Sequence, residues 1–189
     1  MFCEQEYIEA KNMIIDECGK ALSSIDFNEI DQYLQMLTDA DKVFFVGVGR
    51  VLLALKCIAK RYAHLGIKSV VVGDITEPAI TDKDVLIVGS GSGETLFPLS
   101  IARKANQIGA KIIHIGSNPD SSMKEIEDLF VRIPVESRAK ASDEIHSGQP
   151  MTSLFEQSLL LFGDTTASML VKKNQINIHE LWQYHANLE

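Results

Sequence analysis

The chain has 189 residues, of which 46% are hydrophobic and 23% charged, as in an ordinary globular protein with a sizeable core. Its formal net charge of −8 argues against nucleic acid and membrane surfaces as partners, because binding to either requires a basic face. No apolar run approaches the ~20 residues that span a bilayer, and residues 1–10 do not resemble a secretory signal. Cys3, Cys18 and Cys57 lack CxxC spacing and fit free thiols in a reducing compartment, so we expect a cytoplasmic protein.

Helical periodicity predicts two N-terminal helices, residues 5–22 and 27–39, the second capped by Asp26. Continuous apolar strands then alternate with helices. The predicted strands are residues 43–46, 69–72, 85–88, 112–115 and 129–133, and the helices between them are 50–64, 95–108 and a short helix capped by Ser121. From residue 151 the pattern is helical again, in two pieces. Continuous apolar strands indicate a parallel sheet covered on both faces. We therefore expect one α/β domain over residues 1–189, a three-layer αβα sandwich with a parallel five-stranded, flavodoxin-type sheet and helical extensions at both ends.

The longest polar stretch of the chain runs from residue 134 to residue 149. Connections of this length inside a compact domain are often functional. We expect this one to contribute to function.

Two glycine-bearing segments follow predicted strands and open helices: GVGR at 47–50 and GSGSGET at 89–95. Ligands of open parallel sheets bind beyond the carboxyl ends of the strands, and a helix N-terminus there offers unpaired N–H donors to a phosphate. Glycines let the backbone approach such a group, and hydroxyls add donors. The predicted phosphate-binding residues are Gly47, Gly49, Arg50, Ser90, Ser92, Gly93, Glu94 and Thr95.

Other interpretations of these two segments stay open. GSGSGET is also compatible with a flexible, capped turn. GVGR has Leu52 where a dinucleotide-binding fingerprint has its third glycine, although Asp74 after the next strand imitates a ribose-binding acid. A nucleoside-triphosphate loop is disfavoured because the chain contains no GKS or GKT.

Four stretches together resemble the sugar isomerase (SIS) family and, within it, the 6-phospho-3-hexuloisomerases. They are GVGR, AHLG (63–66), GSGSGET, and QPMTSLFEQSLLLFGD (149–164) with the C-terminal HANLE (185–189). Three positions differ from the family pattern: Val51 replaces a usual serine, Thr152 a usual glycine, and Tyr184 a usual basic residue. These differences bear on efficiency and on the preferred sugar more than on the reaction class.

The resemblance implies an isomerase that moves a carbonyl between C3 and C2 of a ketose 6-phosphate through an enediol, giving fructose 6-phosphate. Removing a proton from carbon beside a ketone requires an aimed base and a group that neutralises charge on the carbonyl oxygen. Glu156 is the predicted base, because an apolar helix makes a carboxylate a better proton acceptor. His64 is the predicted proton shuttle or carbonyl-polarising group, and the resemblance suggests that His185 completes the site from a neighbouring subunit. Arg50 is placed to pair with phosphate or a sugar hydroxyl.

Each of these residues also has a structural interpretation. Glu156 would then face solvent or pair with a lysine, His64 would interact with a helix C-terminus, Arg50 would begin a surface helix, and His185 would lie in an unstructured terminus. The reaction requires no redox cofactor and no metal, and the five histidines lack ligand spacing.

Two rival functions remain: a phosphosugar isomerase with another substrate, and a non-catalytic phosphosugar sensor. The chain offers little room for an output module, and Glu156 has no evident task in a sensor. The resemblance also implies a homo-oligomer, specifically a tetramer.

Overall fold

The computed structural model describes residues 3–136 and 143–188. Five parallel strands form one sheet in the order β2-β1-β3-β4-β5: β1 (Val43–Val46), β2 (Ser69–Val71), β3 (Val85–Gly89), β4 (Lys111–Gly116) and β5 (Leu129–Arg132). The helices are α1 (Glu4–Ser23), α2 (Phe27–Asp39), α3 (Gly49–His64), α4 (Leu96–Ile108) and α5 (Ser153–Lys173), with 3-10 turns at Ser122–Glu125 and Glu180–Tyr184. The predicted α/β sandwich with a parallel five-stranded sheet is confirmed.

The two faces of the sheet are covered unequally. Because side chains alternate along a strand, Phe45 and Ile87 point to a large core that also receives α1, α2, α3 and α5. Phe44 and Leu86 point to a smaller core under α4 and the 122–125 turn. The N- and C-terminal helices therefore share one layer, and α4 is the main cover of the opposite face.

Two predicted helix caps had different outcomes. Asp26 caps α2, since its carboxylate accepts a hydrogen bond from the Asn28 N–H at 2.7 Å. The Ser121 cap is wrong: its buried hydroxyl makes no capping bond, and the element is a single 3-10 turn. The Glu94 carboxylate takes that place by accepting from the Ser122 N–H at 2.6 Å. A cap supplied from a distant loop leaves no local sequence signal.

The polar connection 134–149 is only partly described, because residues 137–142 lie outside the described residues. Its second half is anchored to α1 by the buried carboxylate of Glu17, which accepts hydrogen bonds from the Ser147 hydroxyl, the Gly148 N–H and the Gln149 amide. This anchor fixes the chain immediately before α5. Within the described ranges, no helix combines the length and the apolar character required to cross a bilayer.

Candidate functional site

The two glycine-bearing segments lie side by side. β1 and β3 are neighbours in the sheet, with Val46 paired to Val88, while the next strand in sequence after β1 lies on its other side. This is the point where the strand order reverses, and ligands of open α/β sheets bind outside the strand ends at such a point. A cleft of about 350 Å³ opens there.

Most of the predicted binding residues and the predicted base meet in this cleft. Its walls include Gly49, Arg50, Ser90, Ser92, Thr95 and Glu156. Gly47, Gly93 and Glu94 belong to the same two loops without lining the cleft. Eight further wall residues were not among the predicted site residues: Val48, Val51, Gly89, Gly91, Ser117, Glu136, Thr152 and Phe155.

Three carbonyl groups of the 89–95 loop accept hydrogen bonds from residues in β4 or directly after it. The Ser90 carbonyl accepts from the His114 ring at 2.9 Å. The Gly91 carbonyl accepts from the Ser117 N–H at 2.9 Å, and the Ser92 carbonyl from the Asn118 amide at 3.3 Å. Three successive acceptors are therefore satisfied by protein.

The N–H groups of the same loop are less occupied. Those of Gly91, Ser92 and Thr95 have no acceptor in the part of the chain that the structure describes. The first N–H groups of α4 follow directly, and Thr95 occupies its N-cap position. Fixed carbonyls beside unpaired N–H groups at a helix N-terminus are the geometry that binds an anion.

Gly93 is required by the turn itself. Its φ of +66° lies in the left-handed region, and a β-carbon there would collide with the Ser121 side chain. Its N–H returns to the Ser90 carbonyl at 3.1 Å and closes the loop. A larger residue at 93 would open the loop and move its donors.

The Glu94 side chain does not face the cleft. Both carboxylate oxygens accept from Ser122, one from the backbone N–H at 2.6 Å and one from the hydroxyl at 2.9 Å. These two bonds hold the pKa of Glu94 below its ordinary value, so the residue stays ionised. Only its backbone belongs to the loop, where the Glu94 N–H donates to the Ser92 hydroxyl at 3.2 Å.

Glu156 lies in the first turn of α5, with 11% of its side chain exposed. Arg50 Nε donates to one carboxylate oxygen at 2.6 Å, and the Thr152 hydroxyl donates to the other at 2.8 Å. The apolar surroundings expected for this carboxylate are only part of its environment, because the structure also pairs it with a cation. The hydrogen bonds from Arg50 and Thr152 fix the orientation of the carboxylate in the cleft.

The Arg50 guanidinium also has hydrogen-bond donors that are not used within the described residues. Its side chain is 61% exposed, and its Nε is the one donor with a partner among the described residues. The two terminal amino groups are thus available to a ligand in the cleft. Glu136 contributes a further carboxylate to the wall, close to the undescribed residues 137–142.

The two predicted histidines lie together at a different place. The rings of His64 and His185 stack with centroids 5.8 Å apart, beside a second pocket of about 200 Å³ that includes Trp182. His64 ends α3 and Arg50 begins it, so they are separated by roughly 20 Å along the helix axis. One chain therefore does not bring these histidines to Glu156.

His64 is poised as a neutral imidazole. Burial lowers its pKa, and the nearby positive charges of Lys60, Arg61 and His185 lower it further. Its buried Nε2 has no hydrogen-bond partner in the described part of the chain. Such an unpaired ring nitrogen is an available donor or acceptor.

No group of three or more His, Cys, Asp or Glu side chains placed to hold a metal ion occurs within residues 3–136 and 143–188. The cleft offers hydroxyl, backbone N–H and guanidinium groups as donors, and the carboxylates of Glu136 and Glu156 as acceptors. They suit a polar organic anion.

Comparison with known proteins agrees with this geometry. Residues 36–163 match the SIS domain family. The chain belongs to the SIS domain family. It is 39% identical to a 3-hexulose-6-phosphate isomerase of Methylomonas aminofaciens, covering 95% of this chain and 98% of that one. The 3-hexulose-6-phosphate isomerase of Bacillus subtilis (strain 168) is 34% identical, covering 93% and 95% of the two chains.

Among SIS domain structures, the crystal structure of a hypothetical protein from Methanococcus jannaschii superimposes with a TM-score of 0.82 at 30% identity. The match covers 96% of this chain and 99% of that one, and that structure is described as inferring the function of a 3-hexulose-6-phosphate isomerase. The family and the fold implied by GVGR, GSGSGET and FEQ are thereby confirmed.

Proposed function

We propose that this protein is a 3-hexulose-6-phosphate isomerase, interconverting D-arabino-hex-3-ulose 6-phosphate and D-fructose 6-phosphate. The observation that carries the proposal is the oriented, nearly buried Glu156 carboxylate in the same cleft as the unpaired N–H groups of the 89–95 loop. The named relatives at 34–39% identity over almost the whole chain support the same activity. Residues 1–189 would act as one domain.

The phosphate of the sugar would bind at the 89–95 loop. The hydroxyls of Ser92 and Thr95 and the N–H groups of Gly91 and Ser92 supply neutral donors, and the start of α4 adds a partial positive charge. The Ser90 hydroxyl donates to the Thr95 hydroxyl at 3.3 Å and would contact the phosphate beside it. Arg50 then reaches a phosphate or hydroxyl oxygen with its terminal amino groups while its Nε keeps hold of Glu156. Gly47, Gly49 and Gly93 let the backbone come close.

Glu156 would remove the proton from C2 of the hexulose phosphate. The C2–H electron pair becomes the C2=C3 bond, and negative charge moves to the oxygen on C3, where a hydrogen-bond donor stabilises it. Returning the proton to C3 and removing the hydroxyl proton at O2 leaves the ketone at C2. Electrons and protons balance within the sugar, so no redox cofactor takes part.

The proton exchange between the two sugar oxygens requires a second group, and we assign it to His64 and His185 of a neighbouring chain. The two rings already lie together, and His64 Nε2 is unpaired. Their distance from Glu156 within one chain favours a homo-oligomer, for which we propose a tetramer. The start of α4 and the C-terminal segment both carry exposed apolar residues suited to such contacts, among them Phe97 and Trp182.

The compartment we propose is the cytoplasm, in agreement with the free thiols of Cys3, Cys18 and Cys57.

A phosphosugar sensor is the second candidate, because its loop would be built in the same way. Thr152 and Arg50 each hydrogen-bond one carboxylate oxygen of Glu156 and so fix the group in the cleft. A protein that only binds a phosphosugar has no need for a carboxylate fixed in this way. This feature favours catalysis.

The test is to incubate the purified protein with hex-3-ulose 6-phosphate and with the aldose isomers of fructose 6-phosphate, and to follow fructose 6-phosphate. Turnover of the 3-ulose alone is expected. Turnover of an aldose phosphate instead would reassign the substrate, and binding without turnover of any candidate would favour the sensor.

A further inference from the structure

A fully buried histidine lies under the 89–95 loop and takes no part in the reaction described above. His114, in β4, is 0% exposed, and its ring stacks on Phe130 at 4.9 Å. Its Nε2 lies 2.9 Å from the Ser90 carbonyl oxygen, and its Nδ1 lies 2.8 Å from a carboxylate oxygen of Glu127. A buried ionisable pair is costly unless it has a structural or functional task.

The partners of the ring determine where its hydrogens are. A carbonyl oxygen only accepts, so Nε2 carries a hydrogen and donates it to Ser90. On the other side of the ring, a Glu127 carboxylate oxygen lies 2.8 Å from Nδ1. This contact fixes the orientation of the imidazole, so that Nε2 points at the Ser90 carbonyl.

Two glycines leave room for the ring under the loop. Gly93 in the loop and Gly116 in β4 lie close to the ring edge, and a β-carbon at Gly116 would collide with Nε2. Ser121 contributes a hydroxyl next to Gly93. The nearest loop acid, Glu94, is occupied by Ser122. Within residues 3–136 and 143–188, Glu127 is the side chain that is hydrogen-bonded to the His114 ring.

We propose that His114, oriented by Glu127, is a positioning residue for phosphate binding: it fixes the Ser90 carbonyl so that the loop keeps its N–H groups free for the ligand. The Ser90 carbonyl accepts hydrogen bonds from both the His114 ring and the Gly93 N–H. It therefore closes the turn and links it to β4. Without the imidazole donor, this buried carbonyl keeps one partner instead of two, and the loop loses one of its contacts with β4. The inference rests on the assignment of the loop to phosphate in the proposed function.

The experiment compares three substitutions by calorimetric titration with inorganic phosphate and by steady-state kinetics with hex-3-ulose 6-phosphate. His114→Leu fills the site without a donor, and we expect about tenfold weaker phosphate binding and a KM raised about tenfold, with kcat changed less than about twofold. His114→Gln keeps an amide donor for Ser90 and should recover most of the affinity. Glu127→Gln donates to Nδ1, keeps the hydrogen on Nε2 and should bind phosphate like the wild type.

Ile112→Ala is the matched control. Ile112 is also fully buried, lies in the same strand and packs in the core on the His114 side of the sheet, away from the loop. We expect it to lower Tm while leaving phosphate affinity and KM unchanged. A Tm loss in His114→Leu accompanied by wild-type phosphate binding would overturn the inference, as would equal losses of affinity in His114→Leu and Ile112→Ala. Glu127→Gln as weak as His114→Leu would contradict a role through the Ser90 contact.

The experiment distinguishes failure of the proposed reaction from failure of the positioning role of His114. A wild-type protein that binds inorganic phosphate, loses it on His114→Leu and turns over no 3-ulose would refute the proposed reaction and keep the positioning role. A wild-type protein that isomerises the 3-ulose with a KM insensitive to His114→Leu would refute the positioning role and keep the reaction.

Discussion

The cleft at the strand ends and the histidine pair at the far end of α3 differ in how completely their side chains are buried and hydrogen-bonded within one chain. In the cleft, Phe155 is buried, Glu156 has both oxygens bonded, and the loop carbonyls are tied to β4. Around the histidines, Trp182 is 72% exposed, and His64 keeps a buried nitrogen with no partner in the described chain. A region that a single chain completes holds its groups in place, and a region left open is suited to completion by another copy.

The exposed apolar residues follow the same division. Ile178, Trp182, Tyr184 and Leu188 are exposed along the C-terminal segment, and Leu96 and Phe97 are exposed at the start of α4 beside the phosphate loop. Clusters of exposed large apolar side chains mark interaction sites. The homo-oligomer proposed above would cover both surfaces.

The largest expected effect comes from removing the base. Glu156→Gln keeps the shape and hydrogen bonding of the side chain but cannot accept the proton from carbon, so kcat should fall by at least ~10²-fold with little change in KM. Exchange of the C2 hydrogen of the sugar with deuterated water should fall in parallel.

The matched control is Asp164→Asn, which changes an exposed acid on the same helix outside the cleft and should keep full turnover. Hydrogen exchange at the wild-type rate in Glu156→Gln would assign the base to another residue.

The next effect concerns phosphate binding. The Ser92 hydroxyl accepts from the Glu94 N–H and retains its own hydrogen for the ligand, so Ser92→Ala should weaken phosphosugar binding by about 1.5–3 kcal/mol. Ser100→Ala removes a hydroxyl bonded only to its own helix and should bind normally. Calorimetric titration measures both, and equal affinities in the two variants would exclude Ser92 from the phosphate site.

The third prediction concerns Glu17 of α1, which anchors residues 147–149 immediately before α5. Burial alone would raise the pKa of Glu17, but hydrogen bonds from Gly148, Ser147 and Gln149 outweigh it and hold that pKa below its ordinary value. A carboxylate lowered in the folded state stabilises the fold above the unfolded pKa of ~4.3 and loses this contribution as pH falls through the folded value. Glu17→Gln should therefore cost about 1–3 kcal/mol at neutral pH and flatten the acid side of the Tm profile.

The control for this variant is Glu9→Gln, an exposed change on the same helix that should leave the profile intact. A wild-type acid profile in Glu17→Gln would show that the 147–149 anchor contributes nothing to stability.

The smallest effect concerns the open region. The pKa of His64 is lowered in the folded chain, so the unfolded chain binds more protons as pH drops below ~6.5, and stability falls with it. His64→Gln removes this contribution, and between pH 8 and pH 5 its Tm should drop less than that of the wild type, by about a few degrees. Parallel Tm profiles would mean that the protonation of His64 is not linked to folding.

Local patterns in the sequence were sufficient for the fold and for the loops. Buried parallel strands are continuous apolar runs, and Asp26 is a cap defined by its immediate neighbours, so both were predictable. The site required more. The pairing of Arg50 with Glu156 and the capping of the 122–125 turn by Glu94 join distant segments, and no periodicity encodes them. His114 had no ligand spacing to distinguish it, and only its position under Ser90 reveals its partners.

The most direct test of the account is subunit complementation between Glu156→Gln chains and His64→Ala chains. If each active site takes Glu156 from one chain and His64 from a neighbour, mixed oligomers contain sites with both groups intact. Two nearly inactive proteins, unfolded and refolded together, should then regain about a quarter of wild-type turnover under random two-chain pairing. A mixture no more active than the mean of its parents would contradict the account and place the whole site within one chain.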